Sequence, residues 1–340
     1  MEIIGTNQLT LLKEKLKNIS IDHEKLLKRL IDDKKIIVIC GPTGIGKTGL
    51  GINIAQVLNT DIISADSMQV YRGMDIGTDK ADTSKYGIKQ YMVDIFEPGH
   101  SLTVMEFSDN ARGIIGDRFF MKKRIPLIVG GSGLYIKSII DDLDRGPGKD
   151  PDFRNKIEED IDKNGLDKHY KELMGTDEDY ASKISKNDRR RIIRALEVFH
   201  HTGMPFSKFQ KKWLSDTVYN VSFIGLEKDR KLLYEDIEER VDLMFEAGLL
   251  EEVNRLLNAG YRDSQSLVQA VGYKEVIAFL EKKTSLEECV NEVKKNSRRL
   301  AKKQMTWFGR DNRINWIRVD NYANMFDLII DTLKIVDGEL

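Results

Sequence analysis

Cysteine is nearly absent: there are two thiols in 340 residues, Cys40 and Cys289, far apart in the chain. That excludes a disulfide framework and a cysteine-based zinc site, and it makes a reducing cytoplasm the simplest setting. Neither charge is in surplus, with 54 basic against 55 acidic side chains. The total therefore points to neither nucleic acid nor a membrane surface, and any such partner has to be met by local clusters. No apolar run approaches the roughly 20 residues of a membrane span. The first 33 residues lack an apolar segment of signal-peptide type, and Glu2, Glu14, Asp22, Glu24, Asp32 and Asp33 argue against a transit peptide. No internal repeat or low-complexity segment is evident. With 41% hydrophobic residues, the chain can bury the core of one large domain or two ordinary ones.

The apolar spacing over 9–31 (Leu9, Leu12, Leu16, Ile19, then Leu26, Leu27, Leu30) predicts one or two short helices within an extension over residues 1–33, for packing or capping rather than for binding a partner. From Lys35 strand and helix alternate. "KIIVIC", "DIISAD", "YMVDIF" and "IPLIVGG" read as strands. Helices are expected from Lys47 to Leu58 and over "TVMEFSDNARGIIGDRFFMKK". Short continuous apolar strands separated by helices are what a parallel sheet covered on both faces requires. The fold class is therefore α/β, a P-loop NTPase-like parallel sheet with flanking helices, its first part over 34–149. Gly and Pro cluster at "DRGPGKDP", and a helical pattern then runs over 150–220, an inserted all-helical domain. The strand "VSFIGLE" returns the chain to the core, which 221–340 completes with helices such as "VQAVGYKEVIAFL", basic C-terminal helices and a late strand "INWIRVD".

One motif carries chemistry outright. "GPTGIGKT", from Gly41 through Pro42, Thr43, Gly44, Ile45, Gly46 and Lys47 to Thr48, satisfies G-x-x-x-x-G-K-[ST] at every position and follows a strand. Backbone N–H groups and a helix N-terminus surround phosphate oxygens, Lys47 adds a full charge, and the Thr48 hydroxyl is placed for Mg²⁺. An ordinary NTPase also needs an acidic residue at the end of a second strand. "IPLIVGG" ends in glycine, whereas "DIISAD" ends in Asp66, so spacing alone leaves Asp66 as either a metal ligand or a base. Between Lys294 and Arg313 eight basic residues face one acidic residue, with Trp307 and Phe308 among them. The stretch reads as an RNA backbone track with an aromatic near a base, or as a solvated helix face with Trp307 in the core.

"GPTGIGKT", "ISADSMQVYRGMDIGT", "IPLIVGGSGLYIK", "RRIIRALEV", "VQAVGYKE" and "RRLAKKQMTWF" together resemble the tRNA dimethylallyltransferases, or tRNA isopentenyltransferases, of bacterial type, over about 35–320. The resemblance implies transfer of a dimethylallyl group from dimethylallyl diphosphate to N6 of adenosine 37, within A36-A37-A38 of the anticodon stem-loop. The loop then grips a leaving diphosphate, with Mg²⁺ on Thr48. It also implies Asp66 as general base, Asp66, Ser67, Met68 and Gln69 at the target base, and Ser132 where the family usually has threonine. Arg154 and the run Arg190, Arg191, Ile192, Ile193 and Arg194 correspond to tRNA contacts. Arg240 is a second cation for the diphosphate, or else an i,i+4 partner of Asp236. A stacked base cannot offer N6 to an enclosed site, so the target has to be extruded. A monomer is expected. Gly309 stands where arginine commonly follows "TWF", and the N-terminal extension is longer than is usual. The competing readings are a small-molecule kinase, which leaves "DSMQVYRGMDIGT" unexplained, a prenyltransferase of free adenine nucleotide, and a non-enzymatic RNA-binding module.

Overall fold

The computed structural model describes residues 2–18, 22–141, 146–210 and 217–338. Ile19 of the N-terminal apolar pattern, and Asp144 and Arg145 at the start of the Gly/Pro cluster, lie outside them. The chain divides into two compact units, Met1–Ile140 with Tyr219–Leu340, and Asp141–Val218.

The first unit is built on six parallel strands: β1 (Lys35–Cys40), β2 (Ile62–Ser64), β3 (Gln90–Tyr91), β4 (Leu127–Gly130), β5 (Asn220–Glu227) and β6 (Ile314–Arg318). Their order across the sheet is β3-β2-β4-β1-β5-β6. Successive side chains of a strand point to opposite faces, and the core follows that period. Ile36, Val38, Cys40, Ile63, Ile128 and Phe223 enter one apolar cluster. Ile37, Ile39, Ile62, Leu127, Val129 and Ile224 enter the other. Both faces are thus covered, and functional groups are left the loops beyond the strands' C-terminal ends.

The N-terminal residues form helices Thr6–Asn18 and His23–Asp32. Ile4, Leu12, Leu16, Leu26 and Leu30 are buried in the second cluster. The Ile4 N–H donates to Asn53 Oδ1 at 2.9 Å and Asn53 Nδ2 donates to Glu2 O at 3.1 Å, which fixes the extension to helix Lys47–Val57.

Three elements differ from the sequence reading. "YMVDIF" is strand only at Tyr91, because Met92 (φ +63°) and Asp94 (φ +54°) take left-handed backbone that ends the ladder. The helix expected over 103–123 is α-helical at Val104–Ile114 and continues as a π-helical segment, Ile115–Phe120. "VQAVGYKEVIAFL" is split into Gln265–Gln269 and Tyr273–Leu280 by Gly272 at φ +96°.

The second unit packs helices Pro151–Asn164, Asp167–Thr176 and Arg189–Thr202 around Ile157, Ile161, Leu173, Tyr180, Ile192, Ile193 and Leu196. It begins nine residues before the expected 150 and ends at Val218, not 220. Contacts set that boundary where composition does not: Arg194 donates to Pro147 O at 2.8 Å, which ties the Gly/Pro stretch to the helical unit. Among the described residues no helix is long and apolar enough to cross a membrane.

Candidate active site

The motif glycines are required sterically. Gly41 (φ +147°) has no room for a side chain, since a Cβ would stand 2.8 Å from Leu226 O on β5. Gly44 (φ +80°) passes Ile237 equally closely, at 2.7 Å from its Cγ1. Gly46 (φ +89°) then turns the chain into helix Lys47–Val57. Lys47 Nζ donates to Pro42 O at 2.7 Å across the loop. Thr43 is held at two points: its N–H donates to Gln304 Oε1 at 2.8 Å, and its hydroxyl accepts from Arg240 at 3.1 Å. Arg240 also donates to Asp79 Oδ2 at 2.9 Å. Asp236 pairs instead with Lys228, at 2.5 Å, so the i,i+4 alternative for Arg240 is not the one realised.

Burial pulls the Lys47 ammonium down to about 8, with the Asp66 carboxylate opposing that shift and Arg240 adding to it. In the free protein Lys47 therefore loses its charge as pH rises through about 8, whereas a bound diphosphate favours the charged form. Affinity for inorganic diphosphate is thus expected to be flat below pH 8 and to weaken above it, by up to about tenfold per unit. Calorimetric titration from pH 7 to 9.5 checks this, and Lys47→Arg should flatten the profile, because guanidinium keeps its charge throughout.

Asp66 follows β2 by two residues. Its Oδ1 accepts from the N–H groups of Met68 (2.8 Å) and Gln69 (3.4 Å), and Oδ2 has no hydrogen bond among the described residues. Ser132, beyond β4, accepts from Ser67 N–H at 3.2 Å through its hydroxyl and donates its own N–H to Ala65 O at 3.2 Å. The sequence-selected Asp66, Ser67 and Ser132 are thereby brought together. Gln69 is turned inward: Ser64 Oγ donates to its carbonyl at 2.8 Å, and its amide donates to Thr78 O at 3.1 Å. Thr48 Oγ1 has no partner among the described residues, which leaves a hard oxygen donor of the kind Mg²⁺ takes beside substrate phosphates. Among the described residues no group of three or more His, Cys, Asp or Glu could hold a metal by itself.

Asp66, Thr43 and Arg240 share a cleft of about 90 Å³ with Met68, Gly77, Met244, Val271, Val293 and Leu300. Its lining combines a polar and charged set, Asp66, Thr43, Thr78 and Arg240, with an apolar one. A larger groove, about 740 Å³, flanks the loop on the side of Gly44–Gly46, Lys228, Asp320 and Tyr322. It reaches neither Asp66 nor the apolar wall, so the smaller cleft is the candidate site. Sequence patterns gave no sign of Met244, Val271, Val293 and Leu300 as its lining.

The wall carrying "GMDIGT" is fixed from behind. Glu252, buried in helix Leu249–Asn258, accepts from the N–H groups of Asp75 (3.0 Å), Ile76 (2.8 Å) and Gly77 (3.2 Å), and from Tyr273 Oη at 2.6 Å. Lys80 donates to the carboxylates of Asp75 (2.7 Å) and Asp94 (2.6 Å) and to Tyr71 O.

The expected RNA contacts divide into two kinds. In the helical unit Arg154 grips both oxygens of buried Glu197 at 2.7 Å, and Arg194 donates to the same carboxylate at 2.6 Å. Burial pushes the Glu197 carboxyl up, but the Arg154, Asp150 N–H and Arg194 donors outweigh it and hold the group at about 2. Ile192 and Ile193 point into that unit's core, so their side chains serve packing. Arg190 and Arg191 are exposed, Arg191 with Asp188 at 3.5 Å. Between Lys294 and Arg313 the count of eight cations overstated the free charge. Lys294 pairs with Asp242, Lys295 with Glu292, Arg298 with Glu238, and Arg313 with Asp311. Lys302, Lys303 and Arg310 are exposed and carry no carboxylate partner among the described residues. Trp307 lies against Gly133, where a Cβ would stand 2.2 Å from its ring, and edge-on to Phe308, so it packs internally.

The family described as IPP transferase matches residues 69–311, and that described as isopentenyl transferase matches 34–91. A tRNA dimethylallyltransferase of Bacillus mycoides is 42% identical over 312 residues, 91% of this chain and 96% of the relative. The crystal structure of a tRNA isopentenylpyrophosphate transferase from Bacillus halodurans superimposes with a TM-score of 0.67 at 37% identity, covering 90% of this chain and 96% of that one. A eukaryotic dimethylallyltransferase acting on tRNA gives a TM-score of 0.74 at 26% identity, over 89% and 80% of the two chains. With one match spanning well over half its length and relatives this similar end to end, the chain belongs to the IPP transferase family.

Proposed function

We propose that this protein transfers a dimethylallyl group from dimethylallyl diphosphate to N6 of adenosine 37 in the anticodon loop of tRNA, with release of diphosphate. The observation that carries the reading is the cleft whose lining brings Asp66, Thr43 and Arg240 together with the apolar side chains of Met68, Met244, Val271 and Leu300. A kinase has no use for the apolar lining beside its phosphates. An allylic diphosphate has a use for both.

Lys47, Arg240 and the loop N–H groups are placed to neutralise charge that builds on diphosphate as the allylic C–O bond breaks. Thr48 would hold Mg²⁺, which when bound would supply further neutralisation of the departing diphosphate. The exocyclic amine of adenine is a poor nucleophile, because its lone pair is delocalised into the ring. The unoccupied Asp66 Oδ2 accepts its N–H and takes the proton as the N–C bond forms. Ser67, Met68 and Ser132 border the target base, whereas Gln69 acts by holding the turn. Supporting contacts to tRNA are assigned to Arg190 and Arg191 and to Lys302, Lys303 and Arg310, in a cytoplasmic, monomeric enzyme.

The test is incubation with dimethylallyl diphosphate, Mg²⁺ and unmodified tRNA bearing adenosines at 36–38. One dimethylallyl group gained per tRNA for each diphosphate released is expected, and diphosphate release without a mass gain on the tRNA overturns the reading. Reversing charge at Arg190 and Arg191 to Glu is expected to weaken tRNA binding by about tenfold or more at 0.1 M salt and to reduce its salt dependence. Donor affinity should stay the same. Filter binding across a salt series measures both effects.

A further inference from the structure

We infer that Gln304 is the positioning residue that sets the phosphate loop for its diphosphate. It lies on helix Leu286–Phe308, remote in sequence from every loop residue, and both ends of its amide are committed. The carbonyl accepts the Thr43 N–H at 2.8 Å, and the amide nitrogen donates to Gly131 O at 3.0 Å. One side chain thus bridges the two loops that carry the chemistry, the phosphate loop after β1 and the Gly131–Ser132 turn after β4.

The surroundings are shaped for that bridge. A Cβ at Gly131 would stand 2.5 Å from Gln304 Nε2, and one at Gly133 would meet Trp307 one turn further along the helix. The glycines on either side of Ser132 therefore let the helix seat close enough for the glutamine to reach across. With its N–H held by Gln304 and its hydroxyl by Arg240, Thr43 has little freedom left. The loop then meets its ligand already ordered, so binding need not bear the entropy of ordering it. A short side chain at 304 frees the Thr43 N–H and unties the loop from the turn carrying Ser132.

The inference rests on the proposed transfer reaction, and its test separates the two. Gln304→Ala and the near-isosteric Gln304→Met are expected to raise KM for dimethylallyl diphosphate about tenfold or more while kcat falls by less than about threefold. KM for tRNA should move by less than about threefold, because Ser132 keeps its bonds to Ser67 N–H and Ala65 O. Gln304→Glu keeps the acceptor for Thr43 but repels Gly131 O and the diphosphate, so its donor KM should rise further. Donor Kd by calorimetry should follow the same order, with the thermal midpoint of each variant recorded alongside. Wild-type donor Kd and KM in a folded Gln304→Met overturn the inference, as does a loss confined to kcat. Absence of transfer by the unaltered protein overturns the proposed reaction instead.

Discussion

Asp66→Asn is expected to cut prenyl-transfer turnover by about 10²- to 10⁴-fold, the range that a positioned general base supplies. Donor affinity should change little. The substitution preserves volume, and an asparagine carbonyl can still accept from the Met68 and Gln69 N–H groups that hold the turn. What it replaces is the other oxygen, Oδ2, by an amide nitrogen that cannot take a proton. Single-turnover transfer measured beside calorimetric donor binding makes the comparison. Mg²⁺-dependent loss of donor binding would instead make Asp66 a metal ligand, the alternative that its place at the end of a strand leaves open.

Much of the architecture was legible because it depends on local chemistry. β1 and β5 are runs of residues with both faces buried, and the phosphate loop is a sequence of steric requirements at Gly41, Gly44 and Gly46. "YMVDIF" has the composition of a strand, yet Lys80 draws the Asp94 carboxylate into an ion pair while the backbone at Met92 and Asp94 turns left-handed. Composition does not report such a tertiary preference. The basic run misled for a similar reason. Asp242 and Glu238, which neutralise Lys294 and Arg298, lie more than fifty residues upstream on another helix. The apolar lining of the cleft was hidden too, because Met244, Val271 and Leu300 are ordinary helix and turn residues until the fold brings them into one cleft with Asp66.

Glu252 is where the site should prove most sensitive to a change outside it. The residue is 2% exposed, and its carboxylate accepts four hydrogen bonds, three from consecutive backbone N–H groups and one from Tyr273. Glu252→Gln keeps the shape but puts an NH₂ group against donors that need an acceptor. A buried donor left unpaired costs about 1–3 kcal/mol, so a loss of about 3 kcal/mol in unfolding free energy is expected. For a unit of this size that is roughly 6–12 °C in Tm. Tyr273→Phe removes one of the four bonds and leaves no backbone group unpaired, so it should cost only about 1 kcal/mol. Function should fall with the fold's local order, because the tethered residues lead directly to the active wall: Gly77 and Thr78 line the cleft, Thr78 O holds Gln69, and Asp79 holds Arg240. At a temperature where the variant remains folded, Glu252→Gln should lower kcat/KM for the donor by up to about 100-fold, the scale of a displacement near 1 Å in a catalytic site. Denaturant unfolding and transfer kinetics on the two variants measure both effects. Full activity in a destabilised but folded Glu252→Gln would confine the residue to stability and leave the geometry of the wall to Lys80 and Gln69.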